Sequence, residues 1–362
     1  MKSKTKWYST APLCAVATAL VMYGCASSLE AAAARDMEQY FAGKTITVIV
    51  GSSAGGGADF NARLFARFAS KYFPGKPKFI VQNIPGSAQL KGLQAGMRAK
   101  PDGLTVASLN TRWAIKSMLG EDLGPFDIKT ARIVGSPIAV SRAEIVCTDR
   151  KFAGSWEEIV GSQKILKFPG GPGGRSDLGP YLLELVGAPV KNISGYGGVA
   201  EETAAFNRGE LTGVGCNEAT VPRLFPEWLK EKRLAPLFWW DAPPAPEYLA
   251  QMGALRKVPN LLELSGVNFP QETKMVVNVA LQIFAFTRAL VLPPKVPDDI
   301  YQAWVRGYEG TSKDSEMLEV ADKGGHELRL GRPEEFRRAL ADFEKLSPRG
   351  LDLFKKLTLE KD

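Results

Sequence analysis

A β-branched run that breaks into a glycine cluster and then a helix occurs twice in this chain, and this restricts the fold more than any other feature. Thr45-Ile46-Thr47-Val48-Ile49-Val50 reads as a short buried strand. It ends in Gly51-Ser52-Ser53-Ala54-Gly55-Gly56-Gly57, after which Phe60, Leu64, Phe65, Phe68, Ala69 and Tyr72 share one helical face. Pro74-Gly75 stops that helix. Farther on, a strand at 164–168 runs into Pro169-Gly170-Gly171-Pro172-Gly173-Gly174-Arg175-Ser176. Leu178, Tyr181, Leu182, Leu185 and Val186 then line a second helix, closed by Gly187 and Pro189.

The segments between repeat the alternation. A strand at 78–82, the loop Asn83-Ile84-Pro85-Gly86-Ser87, a helix to about 98 and a strand at 104–109 follow the first device. A strand at 190–193, the loop Gly195-Tyr196-Gly197-Gly198, a helix at 199–207 and a strand at 211–216 follow the second. Strands alternating with helices of this length predict βαβ units and a mostly parallel sheet. The expected fold is α/β, with two lobes built alike and joined by a hinge. The first lobe takes 36–137 plus 243–362, the second 138–242, and the cleft between them is the place for a ligand.

The start of the chain reads as a targeting segment. Lys2, Lys4 and Lys6 precede an apolar run from 11 to 24 that is too short to span a bilayer. Two cleavage readings stay open: a signal peptide over 1–34, cut after the small residues at 31–34, or a leader over 1–24 with lipid carried on Cys25. Both place the mature protein in the periplasm, free or lipid-anchored. About 330 residues then remain, more than one ordinary core holds.

Charge separates partner classes. The chain carries 46 Lys and Arg against 39 Asp and Glu, a formal +7, but these are scattered rather than gathered into stripes. A nucleic-acid partner is therefore not expected; a weak preference for anionic solutes is. Cys147 and Cys216 each sit in an apolar strand-like segment. An oxidising compartment permits a disulfide between them, with two buried thiols as the alternative. With no C-x-x-C and no His/Cys cluster, no metal site is expected.

A glycine-rich turn from strand to helix sets unpaired N–H groups, at the positive end of a helix dipole, over the carboxyl edge of a sheet. One such turn also serves as a mere tight connection. Two, one per lobe, are expected to face each other as jaws around an anion. Ser52, Ser53, Ala54, Gly55 and Gly56 form the first jaw; Gly171, Gly173, Gly174, Arg175 and Ser176 form the second. The serines add hydroxyl donors, and Arg175 is suited to a charge-assisted carboxylate pair. Asp59 and Asp177, each in a first helical turn, are explained by dipole complementation; contact with a ligand amine is the alternative for Asp59. Tyr196 fits a cleft wall or a core equally well.

Gly51-Ser52-Ser53-Ala54-Gly55 also fits a G-x-S-x-G nucleophile elbow. A hydrolase of that type needs an acid and a histidine after the serine. The single histidine, His326, lies in the turn-like string Lys323-Gly324-Gly325-His326-Glu327. No enzyme is expected.

These strings together resemble the solute receptors of tripartite tricarboxylate transporters, the Bug-type family. Gly55-Gly56-Gly57-Ala58-Asp59 with Ala62-Arg63, Gln82-Asn83-Ile84-Pro85-Gly86 and Pro101-Asp102-Gly103-Leu104-Thr105 carry the resemblance in the first lobe. The loop at 170–175, Gly195-Tyr196-Gly197-Gly198 and Arg208-Gly209-Glu210-Leu211 carry it in the second, and Arg288-Ala289-Leu290-Val291-Leu292-Pro293-Pro294 resembles the family's return strand. The resemblance covers essentially the whole mature chain. It implies a type II periplasmic binding fold that shuts like a flytrap on a di- or tricarboxylate, an aromatic acid or an amino acid. It implies ligand contacts around Ser53, around Pro85, Gly86 and Ser87, around Asn110 and Thr111, and across 171–176. It also implies no cofactor, a monomer, and delivery to the membrane permease subunits of a tripartite tricarboxylate-type transporter. A sensor role for the same closed form is the alternative.

Three departures stand out. Ser87, Ala88 and Gln89 replace the family's usual glycines; Leu104 stands where tyrosine is common; and Asn110-Thr111-Arg112-Trp113 replaces small residues.

Overall fold

Strand β1 (Thr45–Val50) buries Ile46, Val48, Ile49 and Val50, so both of its faces are covered, as a central parallel strand requires. It pairs in parallel with β2 (Lys78–Asn83) on one side and β3 (Thr105–Leu109) on the other. Strand β4 (Arg132–Gly135) lies two places from β3. The gap is filled from far along the chain by β10 (Ala289–Leu292), antiparallel to both neighbours. The order β2-β1-β3-β10-β4 results. The computed structural model describes residues 36–55, 57–136, 143–170, 177–196, 198–218, 220–254, 257–323, 328 and 330–359.

The second lobe repeats the pattern. Strand β5 (Ala143–Asp149) runs antiparallel to β8 (Gly213–Gly215) and β9 (Leu234–Asp241), while β6 (Leu166–Pro169) and β7 (Val190–Ile193) pair in parallel. The two ladders meet where Thr212 N donates to Lys167 O at 3.0 Å and Lys167 N donates to Thr212 Oγ1 at 2.8 Å. The β7-β6 pair thus sits beside the β8-β5-β9 sheet, with β6 next to β8. In each lobe the second strand is outermost, the first and third follow, and a strand arriving by a crossing lies antiparallel beside the third.

Helices cover the sheets through amphipathic faces. The Gly57–Ala69 helix puts Ala58, Ala62, Phe65 and Ala69 in a cluster with Val48, Val50, Trp304 and Tyr308 on one side of the first sheet. A larger cluster is continuous between lobes: Ala107 and Leu109 belong to it with Val146, Trp156, Phe238 and Leu182. The Gln271–Phe284 and Pro348–Thr358 helices supply Val276, Ala280, Ile283, Phe354 and Leu357 to the same cluster. No helix among the described residues is long and apolar enough to cross a membrane.

Cys147 and Cys216 are joined by a disulfide, with Cα atoms 5.9 Å apart. Around it pack Ile145, Phe206, Trp228, Tyr248 and Met252. Tyr248 Oη donates to the Cys216 carbonyl at 2.9 Å, and Trp156 Nε1 donates to the Ser265 carbonyl at 2.9 Å. Tyr248 and Ser265, past residue 242, thus bond to residues of the second lobe. Trp240 is buried against Gly179, where a Cβ would stand 2.7 Å from the indole. The leader, Cys25 included, lies outside the described residues.

Candidate functional site

Because β1, β2 and β3 are parallel, their carboxyl ends share one edge of the first sheet. Ile49 pairs with Ala107, so continuing that register sets Ser52 level with Asn110. Leu109 pairs with Ala289, so the next antiparallel step sets Asn110 opposite Arg288. Ser52, Asn110 and Arg288 therefore lie just beyond the ends of β1, β3 and β10 at the edge where open α/β sheets take ligands.

The first jaw is held from below by Asp59, which is only 3 % exposed. Its Oδ2 accepts from Gly55 N and from Arg63 Nε, both at 2.9 Å. Its Oδ1 accepts from Asn83 Nδ2 at 2.9 Å, and the same amide nitrogen donates to the Ser52 carbonyl at 3.0 Å. The Arg63 hydrogen bond, helped by the Gly55 amide and Asn83, outweighs burial and lowers the carboxyl from 3.8 to about 2. Both oxygens of Asp59 are thus engaged within the protein, and its observed part is to shape the loop. Ser53, Ala54 and Gly55 are exposed above it.

A second loop leans on the first. A Cβ on Gly51 would stand 2.4 Å from Gln89 O, so only glycine admits the backbone there. Ser87, Ala88 and Gln89 take φ values of 47°, 47° and 79°, three non-glycine residues in succession in the left-handed region. The helix expected from this loop onward begins only at Leu90, after the Ser87–Gln89 turn. Trp113 Nε1 donates to Ala88 O at 2.8 Å and holds the turn in place. Pro85 and Ser87 are exposed and Gly86 is half-buried.

Two hydroxyls at this edge lack partners. Ser52 Oγ and Thr111 Oγ1 are buried without a hydrogen bond, and Thr111 is 7 % exposed. Thr111 opens the Thr111–Met118 helix, for which Asn110 Oδ1 accepts from Arg112 N at 2.9 Å as the cap. One turn along from Gly57, Asn61 is 2 % exposed, with both amide atoms unpaired.

Arg288 completes the edge. It stands at φ 65°, half-buried, immediately before β10. Its guanidinium lies against the amino end of the Gly57–Ala69 helix, where a Cβ on Gly57 would come 2.9 Å from Nη2. No hydrogen bond or ion pair to Arg288 exists among the described residues, and burial alone lowers its pKa. Sequence reasoning placed this residue in a strand and gave it no part in binding. Its local signal was slight, a single arginine ahead of four apolar residues, and only the insertion of β10 beside β3 brings it to the site.

Of the second jaw, Gly170 (φ 134°) packs on the Asp177 carboxyl, and Tyr196 lies against the cluster around the disulfide. Gly171, Gly173, Gly174, Arg175 and Ser176 lie outside the described residues, as do Gly56, Gly197 and His326. No group of three or more His, Cys, Asp or Glu side chains among the described residues is placed to hold a metal ion.

Two α/β lobes with matched strand order, each completed by a strand from the other side of a crossing, give this chain the fold of a periplasmic solute-binding protein. The particular likeness is to a TctC solute-binding protein from Polaromonas, solved without ligand. It superposes with a TM-score of 0.60 at 17% identity, over 87% of this chain and 97% of that one. The periplasmic binding protein BugD aligns at 0.49 and 17% identity, over 88% and 99% of the two chains. MatC from Rhodopseudomonas palustris, with bound malate, aligns at 0.47 and 15%, over 87% and 99%. The sequence matches no known family model and no curated protein.

Proposed function

We propose that the protein is an extracytoplasmic receptor that closes its lobes on a small carboxylate-bearing solute and passes it to a tripartite tricarboxylate-type permease. The observation that carries this reading is the edge of the first sheet. There the exposed loop of Ser53, Ala54 and Gly55, the unpaired hydroxyls of Ser52 and Thr111, and a helix amino terminus converge, and all are donors. Donors without acceptors at the mouth of a two-lobed fold suit an anion better than a neutral solute. The glycine loop at 171–176 supplies the opposing jaw, and Arg175 and Ser176 contribute from it. Closure is then stabilised by contacts that exist only when both jaws meet the ligand.

A thermal-shift screen against mono-, di- and tricarboxylates, aromatic acids and amino acids tests the reading. A ligand at a hundredfold its Kd stabilises the fold by about 2.7 kcal/mol. One chemical class is expected to raise the melting point and to be recovered unchanged. A ligand that is consumed, or labelling of Ser53 by a fluorophosphonate, would overturn the receptor in favour of a hydrolase.

A further inference from the structure

Arg288 is built into this edge at a double disadvantage. A long side chain adopts a left-handed backbone only where its surroundings impose it, and such residues gather at functional sites. Its guanidinium also rests at the amino end of a 13-residue helix, where the dipole already favours negative charge. The nearest first-turn acid, Asp59, is committed to Arg63, Asn83 and Gly55. Two positive elements are thus packed together, with no anion among the described residues beside the guanidinium. An unpaired buried cation is costly, and a half-buried one bears part of that cost, which an anion placed beside it would remove.

We propose that Arg288 is the principal anion-binding residue of the first lobe, forming a charge-assisted pair with a ligand carboxylate at the amino end of the Gly57–Ala69 helix. This rests on the receptor reading above and deepens it. The carboxylate docks on the first lobe while the cleft is open, and the second lobe closes on the rest of the solute. The ligand class is narrowed to solutes with a free carboxylate that tolerate a bidentate guanidinium.

The test is calorimetry and thermal shift on the full chain and on Arg288→Lys, Arg288→Gln and Arg288→Gly, against malonate, succinate, glutarate, adipate, citrate and benzoate, with sulfate as the inorganic anion. The best carboxylate for the wild type is expected to bind about ten- to a hundredfold more weakly to Arg288→Gln and Arg288→Gly, with Arg288→Lys between. Without ligand, Arg288→Gly is expected to melt above the wild type, because glycine is unstrained at this φ and the lone cation is gone. Unchanged carboxylate affinity in Arg288→Gly would overturn the role of Arg288 and leave the receptor standing. A wild type that responds to no carboxylate overturns both. Sulfate binding as tightly as the best carboxylate assigns the pocket to free inorganic anions and overturns the carboxylate assignment.

Discussion

The Asn83 side-chain amide donates to Asp59 Oδ1 at 2.9 Å, so the end of β2 fixes the acid that shapes the loop after β1. The loop from Ser52 to Gly55 is therefore positioned by Asp59 and Asn83 beneath it. Preorganisation of this kind lets binding energy go into the ligand contact rather than into ordering the loop.

Asp59→Asn keeps the shape but removes the charge that Arg63 pairs with. Because Arg63 is half-exposed, solvent screens the pair, and a loss of about 1–2 kcal/mol is expected in urea unfolding. The pH dependence has a definite sign. The carboxyl sits at about 2 in the folded chain against 3.8 in the reference state. Its ionised form adds stability that is fully present above about pH 4 and is lost as pH falls through about 2. Melting curves between pH 2 and 5 are expected to be steeper for the wild type than for Asp59→Asn, and equal slopes would contradict the assignment.

Gly51→Ala forces a Cβ against Gln89 O and Cα, 2.4 and 2.7 Å away, and both are backbone atoms that cannot rotate aside. The two loops must part. A destabilisation of about 1–3 kcal/mol is expected by chemical denaturation, together with weaker ligand binding.

Trp113→Phe retains the aromatic body and deletes the N–H that Ala88 O receives. Roughly 1 kcal/mol of stability is expected to go, and the turn at Ser87 to Gln89 is expected to open toward ordinary φ values. Amide exchange at Gln89 and Leu90, read by NMR or mass spectrometry, would quicken; unchanged exchange would show that the turn holds itself.

Reducing the Cys147–Cys216 disulfide frees a closed loop with a sequence separation of 69 residues. Chain-entropy reasoning gives ~4 kcal/mol for a loop of that size. The sulfurs are buried, so thiol reagents are expected to react only after unfolding, and the Cys147→Ser/Cys216→Ser double variant is expected to melt several degrees lower. A reducing agent that leaves the melting point unmoved would show that the bridge does not form in solution.

Much of the fold was legible because its signals are local. β1, β7 and the Val199–Asn207 helix lie where patterning predicts them, since β-branched runs and helical faces declare themselves within a few residues. The pairing of β4 with β10 joins segments more than 150 residues apart, which no local pattern can indicate. The site divided in the same way. Ser52 to Gly55 were singled out by the glycine turn after a β-branched strand, whereas Asn110 and Thr111 entered only through the family resemblance. Arg288 was not singled out, because nothing in its own sequence neighbourhood indicates that it faces Gly57. The left-handed turn at Ser87, Ala88 and Gln89 was hidden for another reason. None of the three is glycine, and close packing on Gly51 with the bond from Trp113 imposes what propensity would refuse.

The place of β10 between β3 and β4 also sets an order of events at synthesis. A chain made from its amino end reaches β3 long before the residues that will cover that edge exist, and until then the first sheet is left open in its middle. The strands of the second lobe run from 143 to 241 without interruption, so that sheet can close first. The amino-terminal third, made first, thus waits for residues near 290 before its sheet is complete.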